Sequence, residues 1–214
     1  ILMSIRWRIL KLLGLTLLVG VESAFAQAPA PTSSTPLHIG ITAAVRGTVE
    51  LTTPGQVGKI IQSGEPIFLG QVVETDAQGR LQILLLDETV FTIGPNSAIT
   101  IDEFIYDPHT QAGKLTASAL KGVFRFVSGK IARRNPQDVQ LKLPAGLIGI
   151  RGTIVAGRVE GQESLVVLLG PGPRNNTGDR PGQISVGNSV GTTVHEVTIT
   201  RPGYGTQIAG PEVP

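Results

Sequence analysis

The stretch "TIGPNSAITIDEFIYDP", residues 92–108, decides how the chain folds. Its "GPNS" segment predicts a turn, because proline fixes its own φ and the asparagine and serine side chains can bond to nearby amides. A strand follows, in which Ile99 and Ile101 face one side and the intervening polar residues face the other. Asp107-Pro108 predicts the end of that strand, because proline cannot donate a hydrogen bond to the ladder.

The alternation changes phase within this strand. Phe104 and Tyr106 have the parity of Asp102 rather than that of Ile101. If the aromatic residues are buried as well, one extra residue must be inserted at Asp102-Glu103, which is a β-bulge, and we predict that Phe104 is buried. Adjacent strand residues face opposite sides, so the two acids can form a catalytic pair only if the bulge redirects one of them. We interpret them as the solvated side of a corner.

The rest of the chain consists of short β-branched runs separated by glycine turns. It contains 27 glycines and 15 prolines, and beyond the N-terminal region no apolar period of 3.6 extends over ten residues. This pattern predicts an all-β fold. Turns at intervals of roughly eight to twelve residues favour an antiparallel β-sandwich or β-roll of many short strands. A short β-solenoid is the alternative, although no fixed repeat length is present.

The N-terminal 26 residues have the three regions of an export signal, which predicts a signal helix that is removed. Three basic residues precede an apolar segment at 12–21, and Ala24-Phe25-Ala26 forms a small-x-small cleavage site. We expect cleavage before Gln27 and a periplasmic or secreted product without a stable membrane span. An uncleaved anchor is the alternative, but the apolar run is shorter than the roughly 20 residues that span a bilayer. Ile1-Leu2, before Met3, is interpreted as a start-site artefact.

Removal of this segment changes the charge balance. Three of the 18 basic residues and one of the 16 acidic residues lie within it, so 15 of each remain. A net charge near zero gives no general electrostatic reason to bind nucleic acid or anionic lipid. The chain has no cysteine, so an exported fold would form without disulfides.

The composition also predicts how the chain is divided. A segment rich in proline, alanine, serine and threonine has no apolar period and is expected to be disordered. The longest polar, turn-rich stretch is expected to be a surface loop. The expected order is the signal peptide at 1–26, a disordered leader at 27–36, a main β domain at 37–169, a loop at 170–183, a terminal β segment at 184–208 and a loose tail at 209–214.

Several motifs together resemble the FecR-domain family of exported bacterial proteins. They are "GPNSAITIDEFIYDP", "KGVFRFVSGKI" and "GLIGIRGT", with an acidic turn at Asp87-Glu88-Thr89 before the proline corner. The resemblance extends over residues 40–155. It implies a β domain in the cell envelope that contacts a protein or an envelope polymer, and no catalytic activity. The founding member also has a cytoplasmic domain that controls a sigma factor, and the six residues from Met3 to Arg8 are too few for such a domain.

A run without acidic residues lies between Asp107 and Asp138 and contains six basic residues. In "KGVFRFVSGKIARR", Phe124 and Phe126 are expected to enter the core, whereas Lys121 and Arg125 share the opposite face of the strand. A solvated strand face is one interpretation of such a charge run. The other is a binding patch for an acidic polysaccharide or an acidic protein surface, whose members would be Lys121, Arg125, Lys130, Arg133 and Arg134.

An enzymatic alternative rests on "GNSVG", residues 187–191, which matches the pattern of a serine hydrolase elbow. That elbow requires a helix after the serine and an acid between serine and histidine, whereas a β pattern follows Ser189 and no acid lies between Ser189 and His195. We therefore expect no catalytic residues.

Cofactor and metal sites are not expected either. Gly146, Gly149 and Gly152 lack the spacing and the following helix of a phosphate cradle, and close strand packing explains them better. The three histidines, His38, His109 and His195, lack the spacing of metal ligands.

Overall fold

The computed structural model describes residues 35–170, 182–190 and 193–210. The predicted signal peptide, almost the whole leader, residues 171–181 of the predicted loop and the last four residues of the tail lie outside the described residues. The strands are β1 (His38–Arg46), β2 (Val49–Thr52), β3 (Lys59–Ile60), β4 (Pro66–Phe68), β5 (Val72–Thr75), β6 (Arg80–Leu85), β7 (Val90–Ile93), β8 (Ala98–Tyr106), β9 (Gly113–Val127), β10 (Val139–Leu143), β11 (Gly146–Arg151), β12 (Ile154–Glu160), β13 (Glu163–Gly170), β14 (Gln183–Val190), β15 (Thr193–Ile199) and β16 (Gly205–Ile208).

The strands form one continuous sheet in which β9 is the central member. Residues 113–121 of β9 lie beside β8 and β10, whereas residues 122–127 lie beside β7 and β12. β9 therefore divides the sheet into two parts. Sheet 1 has the order β4-β1-β6-β7-β9-β12-β13-β16, and sheet 2 has the order β3-β2-β5-β8-β9-β10-β11-β14-β15.

The passage of β9 between the two parts occurs at Gly122, which has a φ of +91°. A Cβ atom there would lie 2.1 Å from Oγ of Ser97. Ser97 comes from the "GPNS" turn, and its Oγ accepts a hydrogen bond from the amide of Val123 at 3.0 Å. The predicted turn thus holds β9 at the point where it changes sheets, and only glycine fits this approach.

One apolar cluster fills the interior, and it contains side chains from both parts of the sheet. Phe91 of sheet 1 packs against Phe124 and Phe126, with ring centroids 6.0 and 5.4 Å apart. Leu115, Leu141 and Ile148 belong to the same cluster from sheet 2. The burial of Phe124 and Phe126 is as predicted. It follows from the period-2 alternation of "VFRFV", which places the two rings on one side of the strand.

Two short helical segments connect β9 to β10, which are the parallel pair among the described strands. A parallel pair requires a connection that returns along the length of the strand. Helix α1 (Lys130–Arg134) and a 3₁₀ helix (Pro136–Asp138) lie in this return. They were not predicted, because five helical residues are too few to show a 3.6-residue period.

The all-β prediction of many short strands is confirmed. Every described strand pair except β9–β10 is antiparallel, which differs from the parallel stacking expected for a solenoid of the β-helix type. β14 lies beside β11 and β16 lies beside β13, so the C-terminal strands extend both sheets. No helix in the described part of the chain is long and apolar enough to cross a membrane.

Candidate interaction surface

The β-bulge predicted at Asp102-Glu103 is present. The register of β8 against β9 shifts between Ile101 and Glu103, and Phe104 is buried on the inner side. The inserted residue leaves Asp102 and Glu103 both on the outer side. The bulge therefore places both acids on the same side of the strand, which is the condition for a catalytic carboxylate pair.

Each of these two acids nevertheless has its own partners. Asp102 accepts a hydrogen bond from Ser118 at 2.6 Å and lies 3.6 Å from Nζ of Lys142. Glu103 lies 3.0 Å from Nζ of Lys114, and this hydrogen bond holds its pKa below the usual value. A general acid would need a raised pKa. The two acids are thus the solvated, ion-paired side of a corner, as interpreted from the sequence.

No acid lies within the basic run of the sequence, but acids from elsewhere in the chain lie beside it in the structure. Lys121 lies 3.4 Å from Glu74, while Lys130 and Arg133 lie 2.7 and 3.0 Å from the two carboxylate oxygens of Glu88. The five members of the predicted patch also belong to different elements. Lys121 and Arg125 are on β9, whereas Lys130, Arg133 and Arg134 are on α1.

Arg125 and Arg134 differ from the other members, since neither has a carboxylate within 4 Å among the described residues. Arg125 projects from the outer side of sheet 1, between the buried rings on either side of it along β9. In the strand register it stands opposite Thr92 of β7 and Ala156 of β12. It is therefore a central residue of the sheet rather than an edge residue.

The side chains around Arg125 are mainly aliphatic. Along β9 its outer neighbour is Val123, its own cross-strand row contains Val167, and the adjacent rows contain Val90 and Leu165. Thr92 and Arg158 lie on the same side of the sheet. Leu165 is 47% exposed and Val123 is 37% exposed, so these side chains meet solvent rather than the core. We define the Arg125 face as Arg125 with the aliphatic or small residues Leu84, Val90, Val123, Ala156, Leu165 and Val167 and the interspersed Thr92 and Arg158.

The turn between β6 and β7 fastens sheet 1 to the connection that carries α1. The buried carboxylate of Asp87 accepts hydrogen bonds from the amide and the hydroxyl of Thr89 at 3.0 and 2.8 Å, and from the amide of Ile131 at 3.4 Å. The Asp87 carbonyl also accepts the amide of Lys130 at 2.7 Å. This is the acidic turn of the family resemblance, and its role here is to hold α1.

Burial raises the pKa of Asp87, although its hydrogen bonds act in the opposite direction. A carboxyl group whose pKa is higher in the folded state than in the unfolded state stabilises the fold below the unfolded pKa and loses that contribution as the pH rises through the folded value. We expect the stability of the wild-type chain relative to Asp87→Asn to increase as the pH falls from 7 to 4. Urea unfolding of both chains across this range measures the difference.

The control for this prediction is Glu103→Gln, because the pKa of Glu103 is lowered. Its carboxylate contributes stability that is lost in acid, so the wild-type advantage over Glu103→Gln should shrink as the pH falls. Parallel pH profiles for the two variants would contradict the assignment of Asp87 as a carboxyl group penalised by burial.

The residues of the hydrolase alternative lie on two neighbouring strands. Ser189 is within β14 and stands opposite Val194, while His195 is in β15 and stands opposite Asn188. A nucleophile elbow places the serine at a strand-to-helix turn, whereas β14 is followed along the chain by the strand β15. The side chain of Ser189 lies outside the described residues.

The remaining residues considered from the sequence lie apart. His38 is on β1, where its ring meets that of Phe68 edge-on at 6.0 Å, and His109 follows β8. Among the described residues, no three side chains of the metal-ligating types converge. A Cβ atom at Gly146 would lie 2.7 Å from the carbonyl oxygen of Gly187, which agrees with the close strand packing expected for this glycine. The expectation is wrong for Gly152, where a Cβ atom would meet nothing within 4 Å and the φ of +65° is what favours glycine.

The described residues thus form an all-β domain with paired surface charges and one broad aliphatic sheet face. Residues 71–170 match the family model described as "FecR protein", so this part of the chain is similar to a FecR domain. The match begins just before β5 and ends with β13, so it includes the bulge, β9 and α1. No curated protein and no solved structure matches the chain.

The resemblance deduced from the sequence is confirmed, although β1 to β4 precede the matched residues. A FecR domain indicates a regulatory or interaction module of the cell envelope, and the family is not enzymatic. Sequence reasoning missed the aliphatic surroundings of Arg125. A partial signal was present in β13, where the buried residues alternate with the outer aliphatic residues Leu165, Val167 and Leu169.

Proposed function

We propose that the protein is an exported, non-catalytic module of the bacterial envelope that binds a protein or an envelope polymer through its FecR domain. The family match over residues 71–170 is the observation that carries this proposal. The three-part N-terminal sequence supports export, with cleavage before Gln27 and a periplasmic or secreted location.

The chemistry of the described surface favours contact over reaction. The acids at the β8 corner are ion-paired, and the acid whose pKa is raised, Asp87, is used internally to hold α1. A contact surface, by contrast, needs exposed groups that are not already satisfied within the domain. Arg125 and its aliphatic neighbours meet that requirement.

The predicted basic patch contributes unequally to such a contact. Lys121, Lys130 and Arg133 each face a carboxylate of the same chain, so a partner would have to compete with Glu74 or Glu88 for them. We propose Arg125 and Arg134 as the members available to an acidic partner.

The test is a double reversal, Arg125→Glu with Arg134→Glu, in the tagged full-length chain exported by its own host. We expect weaker binding to envelope fractions at low salt and a smaller loss of binding when salt is raised to 0.15 M, because exposed charges act over about 8 to 10 Å at ordinary ionic strength. Stability should change by no more than about 0.5 kcal/mol, as for other exposed positions.

The matched control is Lys59→Glu with Arg201→Glu, which makes the same change in net charge elsewhere. Lys59 is on β3 of sheet 2, and Arg201 precedes β16, where it lies over the ring of Tyr204. Equal losses in the two double variants would mean that only net charge matters. A chain that binds no envelope component at any salt concentration would contradict the proposed function.

A further inference from the structure

The Arg125 face combines an exposed sheet surface with one cation that has no ion-pair partner among the described residues. On the outer side of sheet 1, the strands around β9 contribute the aliphatic side chains Leu84, Val90, Leu165 and Val167, between which lie the polar Thr92 and the charged Arg158. A large exposed aliphatic face is unusual on an isolated domain and marks a site of interaction. Here it is also the face from which the core phenylalanines point away, so its side chains are dispensable for packing.

Of the two arginines on this face, Arg158 has a carboxylate partner and Arg125 has none among the described residues. Arg158, two residues beyond Ala156 on β12, forms an ion pair with Glu160 on the same strand. The direct cross-strand neighbours of Arg125 are Thr92 and Ala156, neither of which carries a charge. A partner that covered the face would remove Arg125 from water without a counter-charge, which costs several kcal/mol unless the partner supplies one.

We infer that the Arg125 face docks a protein partner that presents one carboxylate surrounded by apolar side chains. This inference rests on the proposed function and names the surface and the chemistry of the partner. The aliphatic neighbours of Arg125 bury apolar area, and Arg125 fixes the register through a charge-assisted hydrogen bond to the carboxylate.

Other occupants fit the face less well. A second copy related by a two-fold axis through the face would bring the two Arg125 guanidinium groups together, and like charges oppose that contact. An acidic polysaccharide would leave the exposed aliphatic side chains of Leu84, Val123 and Leu165 without an apolar partner. A membrane surface favours several basic residues with aromatic side chains, whereas the Arg125 face contains one unpaired arginine and no aromatic residue.

The experiment uses a photo-crosslinking residue, benzoylphenylalanine, placed at Val123 in the full-length chain within the cells that produce it. The matched control is the same residue at Leu147, which is 39% exposed against 37% for Val123 but lies on the outer side of sheet 2. Mass spectrometry identifies the crosslinked peptides. We expect an adduct from Val123 to a peptide of another protein that contains Asp or Glu between apolar residues.

Arg125→Glu should then reduce the yield of this adduct by about thirty-fold, which is the lower end of the affinity loss expected when one partner of a buried charge pair is removed. Arg125→Lys should retain much of the yield, because the charge is preserved. Replacing the carboxylate of the partner by arginine should restore crosslinking to the Arg125→Glu chain. Unchanged thermal midpoints for both variants establish that the fold is intact.

The outcomes separate this inference from the proposed function. An adduct from Leu147 without one from Val123 would overturn the assignment of the face and leave the interaction module standing. Adducts from Val123 to lipid, to polysaccharide or to a second copy of the chain would overturn the stated partner chemistry. A Val123 adduct that is indifferent to Arg125→Glu would overturn the role of the arginine. Absence of adducts from both positions would overturn the inference together with the proposed function.

Discussion

Replacing Phe104 by alanine is expected to lower the free energy of unfolding by about 3 to 5 kcal/mol, the usual cost of removing a buried phenylalanine ring. Phe104 is 4% exposed and belongs to the apolar cluster, where its ring lies 6.4 Å from that of Tyr106. It reaches the inner side of sheet 2 only because the bulge at Asp102 shifts the alternation by one residue. Chemical denaturation of the variant measures the loss.

The neighbouring residue provides the control. Ile105 has the parity of Ile99 and Ile101, so an uninterrupted strand would bury Ile105 and expose Phe104. In the structure Ile105 is 61% exposed. We expect Ile105→Ala to change the stability by no more than about 0.5 kcal/mol. A larger loss for Ile105→Ala than for Phe104→Ala would show that β8 continues without a bulge.

The second large effect is expected at Gly122, where alanine should cost about 2 to 5 kcal/mol. A positive φ costs an L-residue roughly 1 to 2 kcal/mol, and forcing an extra methyl group into a packed site costs roughly 1 to 3 kcal/mol. The added Cβ atom would lie 2.5 Å from Cα of Ser97, which is backbone and cannot rotate away. Ser97 is itself fixed by a hydrogen bond from its amide to Oγ1 of Thr75 at 2.9 Å.

Gly64 distinguishes the cost of the positive φ from the cost of the contact with Ser97. Its φ is +88°, close to the +91° of Gly122, but a Cβ atom there would meet nothing within 4 Å. Gly64→Ala should therefore show the conformational cost alone, about 1 to 2 kcal/mol. Both variants can be compared by urea unfolding. If they lose the same stability, the contact with Ser97 has no role in the bend of β9.

Local patterns were sufficient for the fold class and for the corner. The parity of Phe104 against Ile101 predicted the bulge, and the alternation in "VFRFV" predicted which side of β9 is buried. Both predictions depend on the period of 2 that any strand imposes on its side chains. The same patterns did not indicate that β9 belongs to both sheets. The pairing partners of a strand depend on the whole fold and not on the alternation of side chains within that strand.

The candidate site was predicted only in part. Arg125 was identified as a basic residue facing away from the core, which is correct. Lys130 and Arg133 were grouped with it because no acid occurs nearby in the sequence, yet both meet Glu88 on the turn between β6 and β7. Glu88 and Arg133 are 45 residues apart, so their contact exists only after the sheet has formed.

The sequence by itself determined the all-β class, the turn at "GPNS", the bulge and the inner position of Phe104, Phe124 and Phe126, because turn chemistry and side-chain alternation act over a few residues. The tertiary structure decided which charges remain available. It neutralised Lys121, Lys130 and Arg133 with distant carboxylates, and it assembled aliphatic residues from separate strands around Arg125. The physical reason is that ion pairs and sheet faces depend on distances in space, which the order of residues along the chain does not fix.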